Sequence, residues 1–197
     1  MSKSVSHLFG GEAKVKIMRL FIFNPRFIFS PSEVAMRVQE KPGSVRRELN
    51  ILSKAGLIKK RAKGFTLNDS YLYLPAVENF LIDAAPITEK EIIQKLSKAG
   101  IMKLVIISGL FLHNHDSRAD ILVVGDHIKQ SKLISAIISI EAEIGKELRY
   151  AVFETADFQY RLGIYDKLIR DILESQHKKI HNKLGLQDLP PVRQEVR

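Results

Sequence analysis

The stretch SVRRELNILSKAGLIKKRAKG (residues 44–64) combines a helical apolar pattern with a dense run of basic residues. Val45, Leu49 and Leu52 recur at intervals of four and three residues, which puts them on one face of a helix that packs against a core. Gly56 is a typical residue at the end of a helix. The segment after it reads as two short strands joined at a second glycine. The stretch therefore predicts a helix followed by a basic β-hairpin.

The outward face of this helix and the hairpin carry the charge of the segment. Residues 41–63 hold eight basic residues and one acidic residue, a local charge of 8 − 1 = +7 in a chain of formal net charge +9. Arginine can donate two hydrogen bonds to guanine, and asparagine can pair with adenine in the major groove. Lysines in a hairpin suit phosphate contacts. The residues expected to contact DNA are Ser44, Arg46, Arg47, Asn50 and Lys54 on the helix and Lys59, Lys60, Arg61 and Lys63 in the hairpin.

Two further helices are predicted upstream. GGEAKVKIMRLFIFNP (residues 10–25) repeats apolar residues at helical spacing and ends before a proline. In SPSEVAMRVQ, Ser30 is the N-cap, Pro31 takes the first helical position and Glu33 completes a capping box.

Three helices followed by a basic hairpin resemble the winged helix-turn-helix of bacterial and archaeal repressors. Leu-x-x-Leu-x-x-Ala-Gly-Leu-Ile is common there and is present here from Leu49 to Ile58. The resemblance implies that residues 1–84 bind double-stranded DNA. The alternative is a winged helix that binds protein, but the density of base-contacting side chains favours DNA.

After residue 100 the pattern changes to strand, strand, helix, strand, helix. KLVIISG, ADILVVGD and LRYAVFE read as strands, and QSKLISAIISIEAEIGKE reads as a helix. Thr155 is expected to cap a mostly helical block, ADFQYRLGIYDKLIRDILESQHK. These elements resemble the minimal nucleotidyltransferase domain, a small relative of the polymerase-β fold, in the set that carries a winged helix in front. With both halves the resemblance covers about residues 8–184, so the expected fold class is α+β with a small mixed sheet.

The nucleotidyltransferase pattern is largely lost at the expected active site. In that family a Gly-Ser turn holds phosphate, and an Asp-x-Asp strand with a third carboxylate holds two Mg²⁺ ions. Here Gly109 is followed by Leu110, the first carboxylate position is Arg118, and only Asp120 remains. Arg118 would put a permanent cation where a dication belongs, and it is expected to pair with Asp120. The resemblance thus implies a catalytically degenerate domain, with no catalytic residue, metal or cofactor, that serves sensing or dimerisation.

Other interpretations stay open. One is a metal-dependent nucleotidyltransferase acting on a nucleic-acid or protein acceptor, and another is a domain that binds a nucleotide without metal through Arg118. His113-x-His115-Asp116 could bind a transition metal, although a polar loop is favoured. Asp116 lies about 13 Å along an extended strand from Asp120, too far to share a Mg²⁺. His177 and His181, one helical turn apart, are favoured as part of a solvated basic face.

The whole sequence sets the remaining expectations. It has no cysteine, no apolar run of the ~20 residues that span a bilayer and no secretory signal at its start, which indicates a cytoplasmic protein without a membrane segment. A homodimer is expected because paired winged helices read paired half-sites. A small molecule or nucleotide is the expected effector. The predicted organisation is a winged helix (1–84), a nucleotidyltransferase-like domain (86–184) and a flexible C-terminal tail (185–197).

Overall fold

The computed structural model of the chain describes residues 3–83, 86–112, 114 and 117–187. It has an α+β architecture, as expected, and its contacts divide it into two compact units. The first unit is Met1–Ile92 with Ile137–Glu147, and the second is Ile93–Ala136 with Leu148–Arg197. The predicted boundary at residues 84–86 differs from this division, because the segment Ile137–Glu147 belongs to the first unit.

The first unit begins with four helices, the last three of which are those that the sequence predicts. They are α1 (Lys3–Leu8), α2 (Glu12–Ile22), α3 (Pro31–Val38) and α4 (Pro42–Lys54). The hairpin strands β1 (Ile58–Arg61) and β2 (Gly64–Leu67) follow, then α5 (Leu74–Asp83). The next helix, α6 (Glu89–Leu96), contains the boundary between the units, after Ile92. The three predicted helices and the hairpin are thus confirmed.

The hairpin is held to the body of the first unit by a short bridge. Phe29 pairs with Phe65 of β2, and the two residues exchange backbone hydrogen bonds of 2.9 Å. Gly64 approaches this bridge closely: it has a φ of +154°, and a Cβ there would lie 2.2 Å from the Phe29 carbonyl oxygen. A glycine is therefore required at this position.

Helix α4 buries one stripe of its surface in the core of the first unit. Val45, Leu49 and Leu52 are at most 4% exposed and share a cluster with Phe21 and Val34 of the helices before them. Burial of each such side chain stabilises the fold by about 2 kcal/mol. The rotation of α4 about its own axis is therefore fixed, as the spacing of these residues predicts.

The predicted capping box at the start of α3 is formed. The backbone N–H of Ser30 donates to Glu33 Oε2 at 2.7 Å, and the N–H of Glu33 donates to Ser30 Oγ at 3.3 Å. Hydrogen bonds from the Ser30 side chain and backbone hold the pKa of Glu33 below its ordinary value of 4.5. Thr88 and Glu91 make the same arrangement ahead of α6.

The second unit is built on a four-stranded mixed sheet, and its helices lie between the strands in sequence. From residue 101 onward the elements are β3 (Ile101–Ser108), a 3-10 turn (Gly109–Leu112), β4 (Ile121–Asp126), α7 (Gln130–Ile144), β5 (Tyr150–Glu154), α8 (Thr155–Gly163), α9 (Lys167–Glu174) and β6 (His177–Asn182). All of them belong to the second unit except the part of α7 after Ala136, which belongs to the first. The strand order is β5-β4-β3-β6. Strands β4 and β5 are parallel, whereas β3 is antiparallel to both β4 and β6. Phe158, Ile169 and Ile172 of α8 and α9 are buried against the sheet residues.

The C-terminal block differs from its predicted form. It is not one helical stretch: α8 and α9 are separated at Tyr165, which has a φ of 56°, and the Asp166 side chain accepts hydrogen bonds from the first backbone N–H groups of α9. The N-cap of α8 is Glu154 rather than Thr155, which is its first residue. The block then ends in strand β6, because long-range pairing with β3 outweighs the weak local preference of HKKIHN.

Two remaining expectations concern the tail and the membrane. Residues 188–197 of the predicted flexible tail lie outside the described residues, and Leu186 is bonded through its backbone to the side chain of Asn182. No helix in the described ranges has the length and apolar character needed to cross a membrane.

Replacing Glu33 with Gln should make the stability of the first unit less dependent on pH. Because the folded state lowers the pKa of Glu33, its carboxylate contributes stability that is fully present above pH 4.5 and is lost as the pH falls through the lowered pKa. We expect Glu33→Gln to lower the thermal unfolding temperature at neutral pH, and we expect this difference from the wild type to shrink as the pH falls through the lowered pKa of Glu33. Thermal unfolding followed by circular dichroism, at neutral and at acidic pH, measures the unfolding temperatures of the wild type and the variant.

The control for this prediction is Glu12→Gln. Glu12 also lies in the first turn of a helix, but its N-cap, Gly11, makes no side-chain hydrogen bond. A stability difference for Glu33→Gln that persists unchanged at the acidic pH would contradict the assigned role of the carboxylate.

Candidate functional site

The exposed face of α4 includes the residues that the sequence singles out. Arg46, Arg47, Asn50 and Lys54 are exposed, and Ser44 is half-buried. They are turned outward because the apolar stripe on the same helix is buried. Arginine and asparagine on a solvent-facing helix can present several hydrogen-bond donors to a planar ligand edge.

The hairpin has an apolar inner side and a basic outer side. Ile58, Phe65 and Leu67 are buried, whereas the cationic residues of β1 and of the turn are exposed. The exposed residues are Lys59, Lys60, Arg61 and Lys63. We call these four residues, together with Arg46, Arg47, Asn50 and Lys54, the basic face. Its two parts lie in the first unit, where α4 packs against β1.

The acidic residue within residues 41–63 does not offset the charge of the basic face at its surface. The Glu48 side chain is 13% exposed, and its Oε2 lies 3.4 Å from Lys14 Nζ. Because Lys14 neutralises the charge of this carboxylate, the electrostatic potential at the surface of the basic face is positive.

In the second unit, Asp120 is enclosed by hydrogen-bond donors. Its Oδ1 accepts from the Leu110 N–H at 2.8 Å, and its Oδ2 accepts from the Arg149 N–H at 2.8 Å. The Arg149 guanidinium adds bonds of 3.3 Å from Nε to Oδ2 and 3.2 Å from Nη2 to Oδ1. The Asp120 side chain is 4% exposed. Both carboxylate oxygens are therefore engaged by the protein itself.

The expectation that Arg118 pairs with Asp120 is wrong. Arg118 is 63% exposed, and its Nε lies 3.4 Å from Oδ2 of Asp171 on α9. Arg149 is the partner of Asp120 instead, because the parallel register of β4 and β5 sets Tyr150 beside Ile121 and so brings the residues just before them together. Sequence reasoning missed Arg149, since only the strand pairing shows which basic residue lies beside Asp120.

Gly109 is required by the same contact. It has a φ of +53°, and a Cβ at this position would lie 2.1 Å from Asp120 Oδ1. The glycine therefore lets the turn close over the carboxylate, and the N–H of Leu110 is used to bind Asp120. The neighbouring hydroxyls of Ser108 and Ser117 are buried and bond to one another and to the Ala119 carbonyl.

Of the two histidine motifs, only the pair His177 and His181 lies within the described residues. His113, His115 and Asp116 lie outside those residues. His177 and His181 are on strand β6 rather than on a helix. His177 Nδ1 lies 2.9 Å from the Ser175 carbonyl, and His181 Nε2 lies 3.1 Å from the Met102 carbonyl. Across the ranges described, no group of three or more His, Cys, Asp or Glu side chains could hold a metal ion.

A buried polar cluster in the first unit was also missed by sequence reasoning. Lys16 Nζ lies 3.1 Å from Glu143 Oε1 and 3.3 Å from Glu40 Oε1, and Arg19 is fully buried with Nη1 3.5 Å from the Glu143 carbonyl. Burial, partly offset by Glu143, lowers the pKa of Arg19 to about 10. Burial opposes the charge of Lys16 too, but Glu143 and Glu40 outweigh it and raise the pKa. These contacts hold the segment Ile137–Glu147 on α2.

Comparison of the chain with protein-family models, with curated proteins and with solved structures gives no match.

Removing the Asp120 carboxylate should cost far more stability than removing Arg118. Asp120→Ala leaves two backbone N–H groups and the half-exposed Arg149 guanidinium without their acceptor, and we expect a loss of about 2 kcal/mol in the free energy of unfolding. Arg118→Ala removes an exposed ion pair worth less than about 1 kcal/mol. Urea unfolding followed by circular dichroism measures both, with Asp171→Ala as the matched control for Arg118. Equal losses for Asp120→Ala and Arg118→Ala would contradict the assigned pairing.

Proposed function

We propose that the protein is a sequence-specific, double-stranded DNA-binding transcriptional regulator that acts in the cytoplasm. Its first unit would be a winged helix-turn-helix, with α4 as the recognition helix and the hairpin as the wing. Its second unit would be a catalytically degenerate nucleotidyltransferase-like domain that serves sensing or dimerisation. The observation that supports the proposal best is the basic face, in which Arg and Asn side chains of one rotationally fixed helix stand next to a hairpin with a basic outer side.

The recognition role of α4 rests on its dimensions and side chains. A helix of 13 residues is about 20 Å long, and the major groove admits a single helix. Arg47, Asn50 and Lys54 are spaced by three and four residues, so they project from one side of α4. In the groove, Arg47 would donate to a guanine and Asn50 would bond to an adenine.

The wing role of the hairpin rests on charge. Lys59, Lys60, Arg61 and Lys63 would contact phosphates, which adds affinity without sequence information and makes binding sensitive to salt. One winged helix buries too little surface for tight specific binding, so a homodimer reading two half-sites is part of the proposal.

The second unit is proposed as non-catalytic because its surviving carboxylate is already occupied. A Mg²⁺ ion needs carboxylate oxygens at about 2.1 Å, whereas those of Asp120 accept hydrogen bonds from Leu110 and Arg149. Arg118 stands at the other carboxylate position. A small molecule or nucleotide would be the effector, and binding would raise the thermal unfolding temperature.

The experiment that tests the proposal is a selection from random duplex DNA, with the recovered sites re-measured over a series of salt concentrations. We expect an inverted repeat that is bound with a large specificity ratio at every salt concentration. Weak binding that disappears with salt and yields no sequence motif would overturn the regulator and leave the basic face as a general tether.

Arg47→Ala and Lys60→Ala should affect DNA binding in different ways. Arg47→Ala should cost roughly 1–3 kcal/mol on the selected site and relax the preference at one base position. Lys60→Ala should weaken all sequences alike and reduce the slope of affinity against salt by about one. Fluorescence anisotropy on the selected site and on single-base variants of it measures both effects.

Lys98→Ala is the matched control for these variants, because it removes the same charge from an exposed residue of the second unit. It should leave both affinity and base preference near the wild-type values. Identical effects of Arg47→Ala and Lys60→Ala would show that α4 does not enter the groove as proposed.

The non-catalytic role of the second unit has a direct check. Wild-type protein incubated with each labelled nucleoside triphosphate, Mg²⁺ and duplex DNA or bulk protein should incorporate no label. Stoichiometric or catalytic incorporation would instead establish a nucleotidyltransferase. The wild-type chain is the right reagent, because Asp120→Ala is expected to destabilise the second unit.

A further inference from the structure

The two edges of the four-stranded sheet in the second unit are built differently. Strand β6 at one edge carries Lys178 and Lys179, and its register with β3 is interrupted between Val105 and Ile106. Lys179 Nζ and the Asn182 amide bond to the Leu186 carbonyl, so the chain folds back over the end of this strand. Lysines, irregular register and a covering segment are the features that keep an edge strand from pairing with another chain.

Strand β5 at the other edge has none of this protection along Tyr150–Phe153. Its sequence, Tyr-Ala-Val-Phe-Glu, has a single charged residue at the end and no proline. The strand is half-buried to exposed, whereas residues 121–125 of β4 beside it are buried. In the described part of the chain, no backbone hydrogen bond is formed on the outer side of β5.

The ladder with β4 shows which groups of β5 face outward. The Ile121 N–H donates to the Arg149 carbonyl, and in a parallel ladder the bonding residues then alternate along the strand. Ala151 and Phe153 therefore bond to β4. The backbone N–H of Val152 and its carbonyl point to the open edge.

We infer that β5 is a self-association surface, whose occupant is strand β5 of a second copy of this chain in antiparallel pairing centred on Val152. The two Val152 residues would exchange hydrogen bonds across a two-fold axis. Ala151 would lie opposite Phe153 of the second copy, which sets a small side chain against a large one. Tyr150 would lie opposite Glu154, so no two like charges face each other.

Charge complementarity distinguishes this pairing from self-pairing of the other edge. In β5 the charged residue faces a tyrosine, whereas self-pairing of β6 would bring several lysines and histidines of two copies together. Because one edge pairs and the other does not, the assembly closes at two copies instead of growing.

Helix α8 and the turn after it carry exposed apolar side chains. The helix packs against β4 and β5, and Tyr160, Ile164 and Tyr165 on it and in the following turn are 67%, 57% and 80% exposed. A sheet continued across β5 would bring the α8 helices of the two copies side by side on one face. Burial of these side chains would add area that a strand pair alone lacks.

The inference rests on the homodimer in the proposed function, but its test needs no DNA. Sedimentation velocity over a range of concentrations is applied to the full chain and three variants, each checked for folding by circular dichroism. Tyr150→Glu puts two carboxylates opposite each other at both ends of the pair and should raise the dimer dissociation constant about tenfold. Tyr150→Lys faces Glu154 with the opposite charge and should bind at least as tightly as the wild type.

Lys183→Glu, just beyond the β6 strand, is the control and should leave the dissociation constant unchanged. A wild-type chain that stays monomeric at all concentrations would overturn the interface while leaving DNA binding to its own selection experiment. A dimer weakened equally by Tyr150→Glu and Tyr150→Lys, or not weakened by Tyr150→Glu, would overturn it as well. If Tyr150→Glu does not fold, Tyr150→Lys decides, since weaker binding of that variant contradicts the pairing.

Discussion

Burial of one stripe of α4 is the constraint on which the candidate DNA interface depends. With Val45, Leu49 and Leu52 in the core, the helix has a single rotational setting, and the basic residues between them are turned outward. The hairpin obeys the same constraint, because Phe65 and Leu67 bury its inner side and leave the lysines outside. Burial of these apolar side chains thus orients the polar residues, although the apolar side chains themselves lie in the core and would not contact a ligand.

The second unit shows how the protein compensates the charge of a buried carboxylate. Asp120 lies at the start of a buried strand, and an unpaired charge there would cost several kcal/mol. Leu110, Arg149 and the turn at Gly109 compensate that charge. Asp120 thereby joins the turn after β3 to the residue just before β5. Arg118 stays at the surface, next to Asp171.

The segment Ile137–Glu147 shows why the organisation of a chain is not readable from the order of its motifs. Along the sequence it belongs to a strand-helix-strand pattern. In the structure it bonds to α2 through Lys16 and Arg19 with Glu143. Just after α2, the Asn24 amide donates to the Gly145 carbonyl at 2.7 Å. A basic residue on an apolar helix face has no recognisable partner until the tertiary contact is known, because the partner lies more than a hundred residues away.

The sequence by itself determined the local elements of the first unit: three helices, one with a capping box, a hairpin joined at a glycine and the outward direction of the basic residues. These follow from periodicity, capping and turn geometry, which act over a few residues. Only the tertiary structure decided that β6 is a strand, that Arg149 and not Arg118 pairs with Asp120, and which edge of the sheet is left open. Each of those depends on strand register or on contacts between distant segments, and such long-range pairing leaves no fixed spacing in the sequence.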